Sequence, residues 1–275
     1  MKVLILSGSR ADLGILHYPT ERLRADTFFK VLAAQMQAKS YEVAFVEAQY
    51  LLRTNNPDLL FILGDRFEIM AAATAAHLQR IPIAHLGGGD VTEGSYDDAM
   101  RDCISRMATW HFATSDKSAT NLVLKGYSNV HMVGNPAVDY IMHADWRRER
   151  PIEGPYVVVA YYPETIDDTV DLEAVKRAIN GRHAVWITPN PDRGSERIPE
   201  GASYSHDAFL TLLVNCEEFI GNSSAIFYEA PFLGVATKLI GKRQKGRVVP
   251  LGDGLASERM RNILRTYGTA NKVAA

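Results

Sequence analysis

The chain has 275 residues, 47% of them hydrophobic and 23% charged, with a formal net charge of −2 at pH 7. That length and composition suit a globular protein of two domains, and the near-neutral charge argues against a nucleic acid or an anionic membrane as partner. Two cysteines, Cys103 and Cys216, lie far apart with no His or Cys at ligand spacing, which argues against a disulfide framework or a zinc site. No apolar stretch approaches the roughly 18 residues of a membrane span, and the run after Met1 is too short for a signal peptide, so a cytoplasmic location is expected.

Short apolar runs alternate with helical patterns. Strands are predicted at 2–7, 58–63, 82–86, 110–114, 129–133, 156–161, 184–188, 217–220 and 236–240. Amphipathic stretches lie between them at 67–79, 97–109, 116–125, 171–180 and 224–233, with a last one at 256–267. Strands apolar on both faces and separated by helices predict an α/β fold with parallel sheets covered on both sides. The charged, Pro- and Gly-containing segment 146–155 reads as a linker. It divides a Rossmann-like lobe at 1–147 from a second at 155–275, with the last helix either in the second lobe or crossing back to the first. From Ala25 to Asn55 the pattern is almost wholly helical.

Three strand-to-loop junctions carry chemistry, because ligands of open α/β sheets collect at the carboxyl ends of strands. Ser7-Gly8-Ser9-Arg10-Ala11-Asp12 follows the first strand. Its small residues can bring N–H groups to an anion and Arg10 can add a guanidinium fork, though a tight turn with a solvated arginine has the same composition. Gly221-Asn222-Ser223-Ser224 opens the stretch 224–233. Its polar side chains are either N-caps or ligands of a diphosphate, with Glu229 placed to accept from a ribose diol and Arg243 to neutralise phosphate.

The third junction is the densest: Gly64-Asp65-Arg66-Phe67-Glu68, then His85-Leu86-Gly87-Gly88-Gly89-Asp90, then Asp97-Asp98-Ala99-Met100-Arg101. Three consecutive glycines serve neither helix nor strand stability, and the acidic residues beside them are candidates for acid/base work. The structural alternative makes Asp97 and Asp98 first-turn helix charges, with Asp97 paired to Arg101 at i,i+4.

SGSRADLG, GDRFEIMAAATAAHL, IPIAHLGGGDVTEGSYDDAMR, VGNPAVD, GNSSAIFYEAP and GKRQKGR together resemble the UDP-N-acetylglucosamine 2-epimerase family, in its hydrolysing branch used for sialic-acid-type sugars. The resemblance implies a GT-B-like fold, two Rossmann-like lobes with the nucleotide sugar in the cleft between them. It implies UDP contacts at Arg10, Ser223, Ser224, Glu229 and Arg243, and sugar-facing carboxylates at Asp65, Asp90 and Asp97. Arg66, His85 and Asp139 are implied close by, with Asn190 among the substrate contacts. It implies no metal and no NAD, and a homo-oligomer, dimer or tetramer. The implied reaction eliminates UDP through a 2-acetamidoglucal and adds water to give N-acetylmannosamine. A same-fold alternative is a UDP-sugar glycosyltransferase, and another is a UDP-sugar-binding protein with impaired catalysis. Base and acid are not assigned among the three carboxylates.

The chain departs from the family pattern in three ways. Asp90 stands where Glu is more usual. Tyr162-Pro163 replaces a His-Pro after the first strand of the second lobe, exchanging an imidazole for a phenol that does not titrate near neutrality. Strands are expected to be missing after Asp26, before Ser205 and after Arg247.

Overall fold

The computed structural model describes residues 1–164, 166, 169–189 and 194–273, and of 10, 11 and 270–273 it describes the backbone alone. Two units form, one from residues 1–90, 97–142 and 250 onward, the other from 91–96 and 143–249. In chain order the first carries β1 (Lys2–Ser7), α1 (Arg10–Arg24), β2 (Lys30–Gln35), α2 (Tyr41–Asn55), β3 (Leu59–Leu63) and α3 (Phe67–Leu78). There follow β4 (Ile83–Leu86), α4 (Asp97–Met107), β5 (Trp110–Ala113), α5 (Asp116–Leu124), β6 (Val130–Met132) and α6 (Pro136–His143). The second unit carries β7 (Val157–Ala160), α7 (Leu172–Ile179), β8 (Ala184–Trp186), α8 (His206–Asn215), β9 (Phe219–Gly221), α9 (Ala225–Tyr228), α10 (Ala230–Leu233) and β10 (Thr237–Leu239). The last helix, α11 (Ala256–Val273), belongs to the first unit.

Both sheets are parallel, in the orders β2-β1-β3-β4-β5-β6 and β10-β9-β7-β8. The strands are short, and the central β3, Leu59-Leu60-Phe61-Ile62-Leu63, is apolar and buried at every position because helices cover both faces of its sheet. Strand order reverses between β1 and β3 in one sheet and between β7 and β9 in the other, and loops leaving those strands diverge to opposite faces. That opening is what places functional side chains. Among the described residues no helix is long and apolar enough to cross a membrane.

Two sequence expectations are corrected. Residues 25–55 are not wholly helical: Lys30-Val31-Leu32-Ala33-Ala34-Gln35 is a strand paired to β1 from Lys2↔Lys30 to Ser7↔Gln35, so a strand is present after Asp26. Lys, Ala and Gln favour helices locally, and the strand exists because β1 offers a ladder, a non-local cause that periodicity does not record. The stretch 224–233 is two four-residue helices rather than one. Pro231 has no N–H to give to Phe227, so the ladder breaks and Glu229 sits at the break.

Helix α11 is anchored at both ends within the first unit. Ala256, Met260 and Leu264 enter the core beside Leu16 and Leu23, and Tyr267 lies 4.0 Å from the Trp110 ring. At its start the fully buried Asp139 accepts from Ala256 N (3.1 Å) and Ser257 N (2.6 Å).

His85 and His111 are register neighbours on β4 and β5 and are buried. Burial pushes each imidazole down to about 4, with their mutual repulsion adding to the shift at His85. A depressed imidazole stabilises the fold above the unfolded value near 6.5 and loses that contribution as pH falls toward 4. His111 Nδ1 has no hydrogen-bond partner among the described residues, so glutamine can replace it without losing a known bond at that atom. In urea titrations the stability advantage of wild type over His111→Gln should shrink by about 1–2 kcal/mol between pH 6.5 and 4. An advantage independent of pH would show that His111 is not held neutral.

Candidate functional site

In the first unit the site grows from the carboxyl ends of β1, β3 and β4. Gly64, at φ +81°, turns the chain out of β3 so that Asp65 and Arg66 leave the sheet. After β4 the triple glycine brings backbone against α5: a Cβ on Gly89 would lie 2.2 Å from the Ser118 carbonyl oxygen. Asp90 follows, its carboxylate accepting from Ser118 Oγ and from Thr114 Oγ1 (3.2 Å).

Arg101, on the second turn of α4 and 2% exposed, joins these loops. Its guanidinium binds the carboxylates of Asp65 and Asp98 and donates to the Asp90 carbonyl at 2.8 Å. Arg101 thus pairs with Asp98 at i,i+3 and with Asp65 across the chain. Asp97, the first residue of α4, is half-buried. Arg66 makes a two-nitrogen fork on Glu68 (3.1 and 3.0 Å) and faces Asp12 electrostatically.

His85 lies beneath this loop cluster, fully buried. Its Nε2 is 2.8 Å from the Gly64 carbonyl, which can only accept, so Nε2 carries the proton and Nδ1 accepts from Ser105 Oγ at 3.1 Å. The ring ties the β3 turn to α4. Asp139 is likewise turned inward, both oxygens engaged by the start of α11. The β1 turn is closed by its own residues: Asp12 accepts from Gly8 N (3.0 Å) and Ser9 N (2.9 Å), and Ser9 caps α1. Burial pushes Asp12 up to about 6 against the pull of Arg66. Two N–H groups expected to be free for an anion are thus taken by an internal carboxylate. The side chain of Arg10 lies outside the described residues, as does Asn190.

In the second unit the loops leaving β7 and β9 are locked together. Asn222 Oδ1 accepts from Tyr162 N (2.7 Å), Asn222 Nδ2 donates to Tyr162 O (2.8 Å), and Gln244 Nε2 donates to Asn222 O (3.0 Å). Gly221 permits the close approach, since a Cβ there would lie 2.0 Å from the Ala160 carbonyl oxygen. The Arg243 guanidinium sits 5.6 Å from the Tyr162 ring centre and donates to Pro163 O at 2.6 Å. Ser223 Oγ accepts from Ala225 N at 3.3 Å, while Ser224 is exposed and its hydroxyl makes no capping bond. Glu229 is 6% exposed, and its Oε2 has no hydrogen-bond partner among the described residues. Burial lifts its carboxyl to about 7, with Arg247, stacked 5.2 Å over Tyr228, pulling the other way.

The sequence profile of the family described as UDP-N-acetylglucosamine 2-epimerase matches residues 10–271. The chain belongs to this family. Among its relatives are the polysialic acid biosynthesis protein P7 of Escherichia coli, 30% identical over 70% of this chain and 57% of that protein, and the GDP/UDP-N,N'-diacetylbacillosamine 2-epimerase (hydrolyzing) of Campylobacter jejuni, 27% identical over 76% and 63%. The chain thus spans 57–63% of the length of the first curated relatives it matches. A solved S. aureus MnaA–UDP structure, 14% identical, aligns over 98% of this chain and 97% of that one with a TM-score of 0.80. That likeness and others to solved UDP-N-acetylglucosamine 2-epimerases give the fold as GT-B-like, two Rossmann-like lobes.

Within this epimerase-family chain, the sequence pattern marks Asp65, Asp90 and Tyr162, pairs Arg101 with Asp97 and makes Asn222 a cap or a ligand, but it does not show that Arg101, Asn222, Gln244 and Ser118 hold the loops. Arg101 had a signal in its spacing from Asp97 and Asp98. The others had none, since their partners lie 22 to 60 residues away. Asp139 can be separated from the ligand-facing set by experiment. Asp139→Ala should lower the unfolding free energy by about 2 kcal/mol in urea denaturation, because two N–H groups of α11 lose their acceptor. UDP affinity by calorimetry should stay within twofold of wild type; a collapse of UDP binding in a protein of unchanged stability would contradict the capping role.

Proposed function

We propose that the chain is a hydrolysing UDP-N-acetylglucosamine 2-epimerase, releasing UDP and N-acetylmannosamine or a related amino sugar. The observation that carries this reading is the acidic cluster after β3 and β4 and at the start of α4, where one buried guanidinium binds the carboxylates of Asp65 and Asp98 and the main-chain carbonyl of Asp90. The Campylobacter relative whose name specifies hydrolyzing supports the branch. Glu229 supports the nucleotide assignment: a buried carboxylate oxygen without a hydrogen-bond partner among the described residues suits the hydroxyl donors of a ribose diol. In this reading Ser223, Ser224 and Arg243 engage the diphosphate, and Arg10 and Asn190 remain candidates for substrate contact.

The chemistry follows from the substrate. The C2 proton is only weakly acidic, so its removal is coupled to departure of UDP from C1. A carboxylate takes the C2 proton as the C1–O bond breaks and the electron pair leaves with the diphosphate, forming a 2-acetamidoglucal. Water then adds across the C1–C2 double bond, hydroxyl to C1 and a proton to the opposite face of C2. Asp65, Asp90 and Asp97 are the candidate acids and bases. Asp65 is bound to Arg101 and Asp90 to two hydroxyls, whereas Asp97 begins α4 half-exposed.

Incubation with UDP-N-acetylglucosamine in D2O, followed by NMR, tests the reading. Free UDP and N-acetylmannosamine with deuterium at C2 are expected, and Asp65→Asn and Asp97→Asn should each slow turnover at least a hundredfold with little change in UDP affinity. UDP release only on addition of a sugar acceptor would mean glycosyl transfer instead.

A second reading rests on Tyr162. Its phenol stands where the resemblance expects an imidazole, and its ring lies against Arg243. If that position has lost proton exchange, the chain binds UDP-sugars and turns them over slowly. Tyr162→His should then raise the rate about tenfold at unchanged UDP affinity. A wild type faster than Tyr162→His on UDP-N-acetylglucosamine and on a 4-acetamido-6-deoxy analogue would sink this second reading.

A further inference from the structure

The imidazole of His85 takes no part in the proposed proton transfers, yet it is fully buried and bonded at both ring nitrogens. Nε2 donates to the Gly64 carbonyl (2.8 Å) and Nδ1 accepts from Ser105 Oγ (3.1 Å), with Ser105 itself 1% exposed. Gly64 directly precedes Asp65 in the β3 turn, and Ser105 lies one turn beyond Arg101 on α4. One ring thus clamps the two backbone segments whose side chains meet in the Asp65–Arg101 ion pair. A helical serine can return its proton to the carbonyl one turn back. Here the His85 lone pair takes that proton and draws the hydroxyl away from its own helix. The second of the three glycines is fitted to this bond: a Cβ on Gly88 would lie 2.9 Å from Ser105 Oγ and 3.2 Å from His85 Nδ1. Gly88 lies outside the left-handed region that Gly87 and Gly89 occupy at φ +84° and +78°. Its backbone would accept alanine, but the hydroxyl and the ring beside it leave no room for a methyl.

We infer that His85 and Ser105 are positioning residues for the reaction proposed above, holding Asp65 in place against Arg101 through the β3 turn and α4. The inference rests on that reading of the acidic cluster. Both residues are buried and act through the main chain of Gly64 and through the helix that carries Arg101. The Asp65 side chain is 20% exposed and that of Arg101 2%, so the ion pair is enclosed on the arginine side and open on the carboxylate side. An ion pair alone fixes the distance between two side-chain tips. The imidazole fixes the distance between the backbones that carry them, and so the direction in which the Asp65 carboxylate points. Misplacing a reacting group by about 1 Å costs on the order of a hundredfold in rate, and loosening one of the two bonds of the clamp is a smaller disturbance.

Ser105→Ala removes one oxygen and adds no atom, and steady-state kinetics on UDP-N-acetylglucosamine read its effect. The turnover number kcat should fall about tenfold, with KM and the calorimetric UDP affinity within about twofold of wild type. In an Asp65→Asn background the same change should slow turnover by less than about twofold, because the carboxylate it positions is gone. A residue that only supports the fold would show the same loss in both backgrounds. Gly88→Ala supplies an independent arm. Its methyl displaces the Ser105 hydroxyl, so kcat should fall by a similar factor, and the double variant Gly88→Ala, Ser105→Ala should be little slower than Ser105→Ala alone. Wild-type kcat in Ser105→Ala, or a loss as large without the Asp65 carboxylate as with it, would overturn the inference and leave the epimerase reading intact. Absence of turnover by wild type would overturn that reading, and the inference with it.

Discussion

A guanidinium that is 2% exposed must have its charge answered inside the protein, and the way Arg101 is answered organises the first unit's acidic loops. Two carboxylates and a backbone carbonyl surround it, contributed by the end of β3, the end of β4 and the first turn of α4. Removing one partner of such a pair costs about 3–5 kcal/mol, a large part of the 5–15 kcal/mol that holds a typical domain together. The loops that carry Asp65 and Asp90 are therefore tied to global stability. They share one cation, so displacement of either changes the electrostatic surroundings of the other.

The second unit solves the same geometric problem with neutral groups. Where β7 and β9 diverge, the Asn222 carboxamide uses its acceptor and its donor on the backbone N–H and C=O of one residue, Tyr162, and the Asn222 main-chain carbonyl accepts from Gln244. Amide bonds of this kind hold position without bringing a net charge. That leaves the local electrostatics to the Arg243 guanidinium and the buried Glu229 carboxyl. An acid held near 7 by burial is ready to respond to a hydrogen-bonding partner, because any donor that favours the ionised form works against a desolvation cost already present in the fold.

The two-lobed α/β architecture was legible because fully apolar strands and intervening helices are local patterns. Loop residues at strand ends were legible because ligand sites in such sheets lie there. What local pattern missed has a common cause. β2 is a strand only because β1 lies beside it, and the break at Glu229 depends on how Pro231 sits in its turn. Asp12, His85 and Asp139 are polar residues beside glycines or helix starts, which in sequence look like ligand-facing groups. In the structure each has its polar atoms turned inward, on Gly8 and Ser9, on Gly64 and Ser105, and on α11. Residue type and position near a strand end do not distinguish a side chain that holds a loop from one that faces a ligand.

Asp90 and Tyr162, the two positions at which the resemblance expects other residues, are held by their surroundings. Aspartate at 90 is one methylene shorter than the glutamate the resemblance expects, and Ser118 and Thr114 hold its carboxylate at that shorter reach. A glutamate would carry its carboxylate past those hydroxyls, so the bonds and the shorter side chain belong together. At Tyr162 the backbone is pinned by Asn222 whatever the side chain, and the ring is held against Arg243 by a contact that needs only an aromatic face. In both places the scaffold is kept and the chemistry of the tip is changed. Local geometry can therefore be kept at both positions while the proton chemistry of the tip changes, which is why binding and turnover have to be measured separately in this chain.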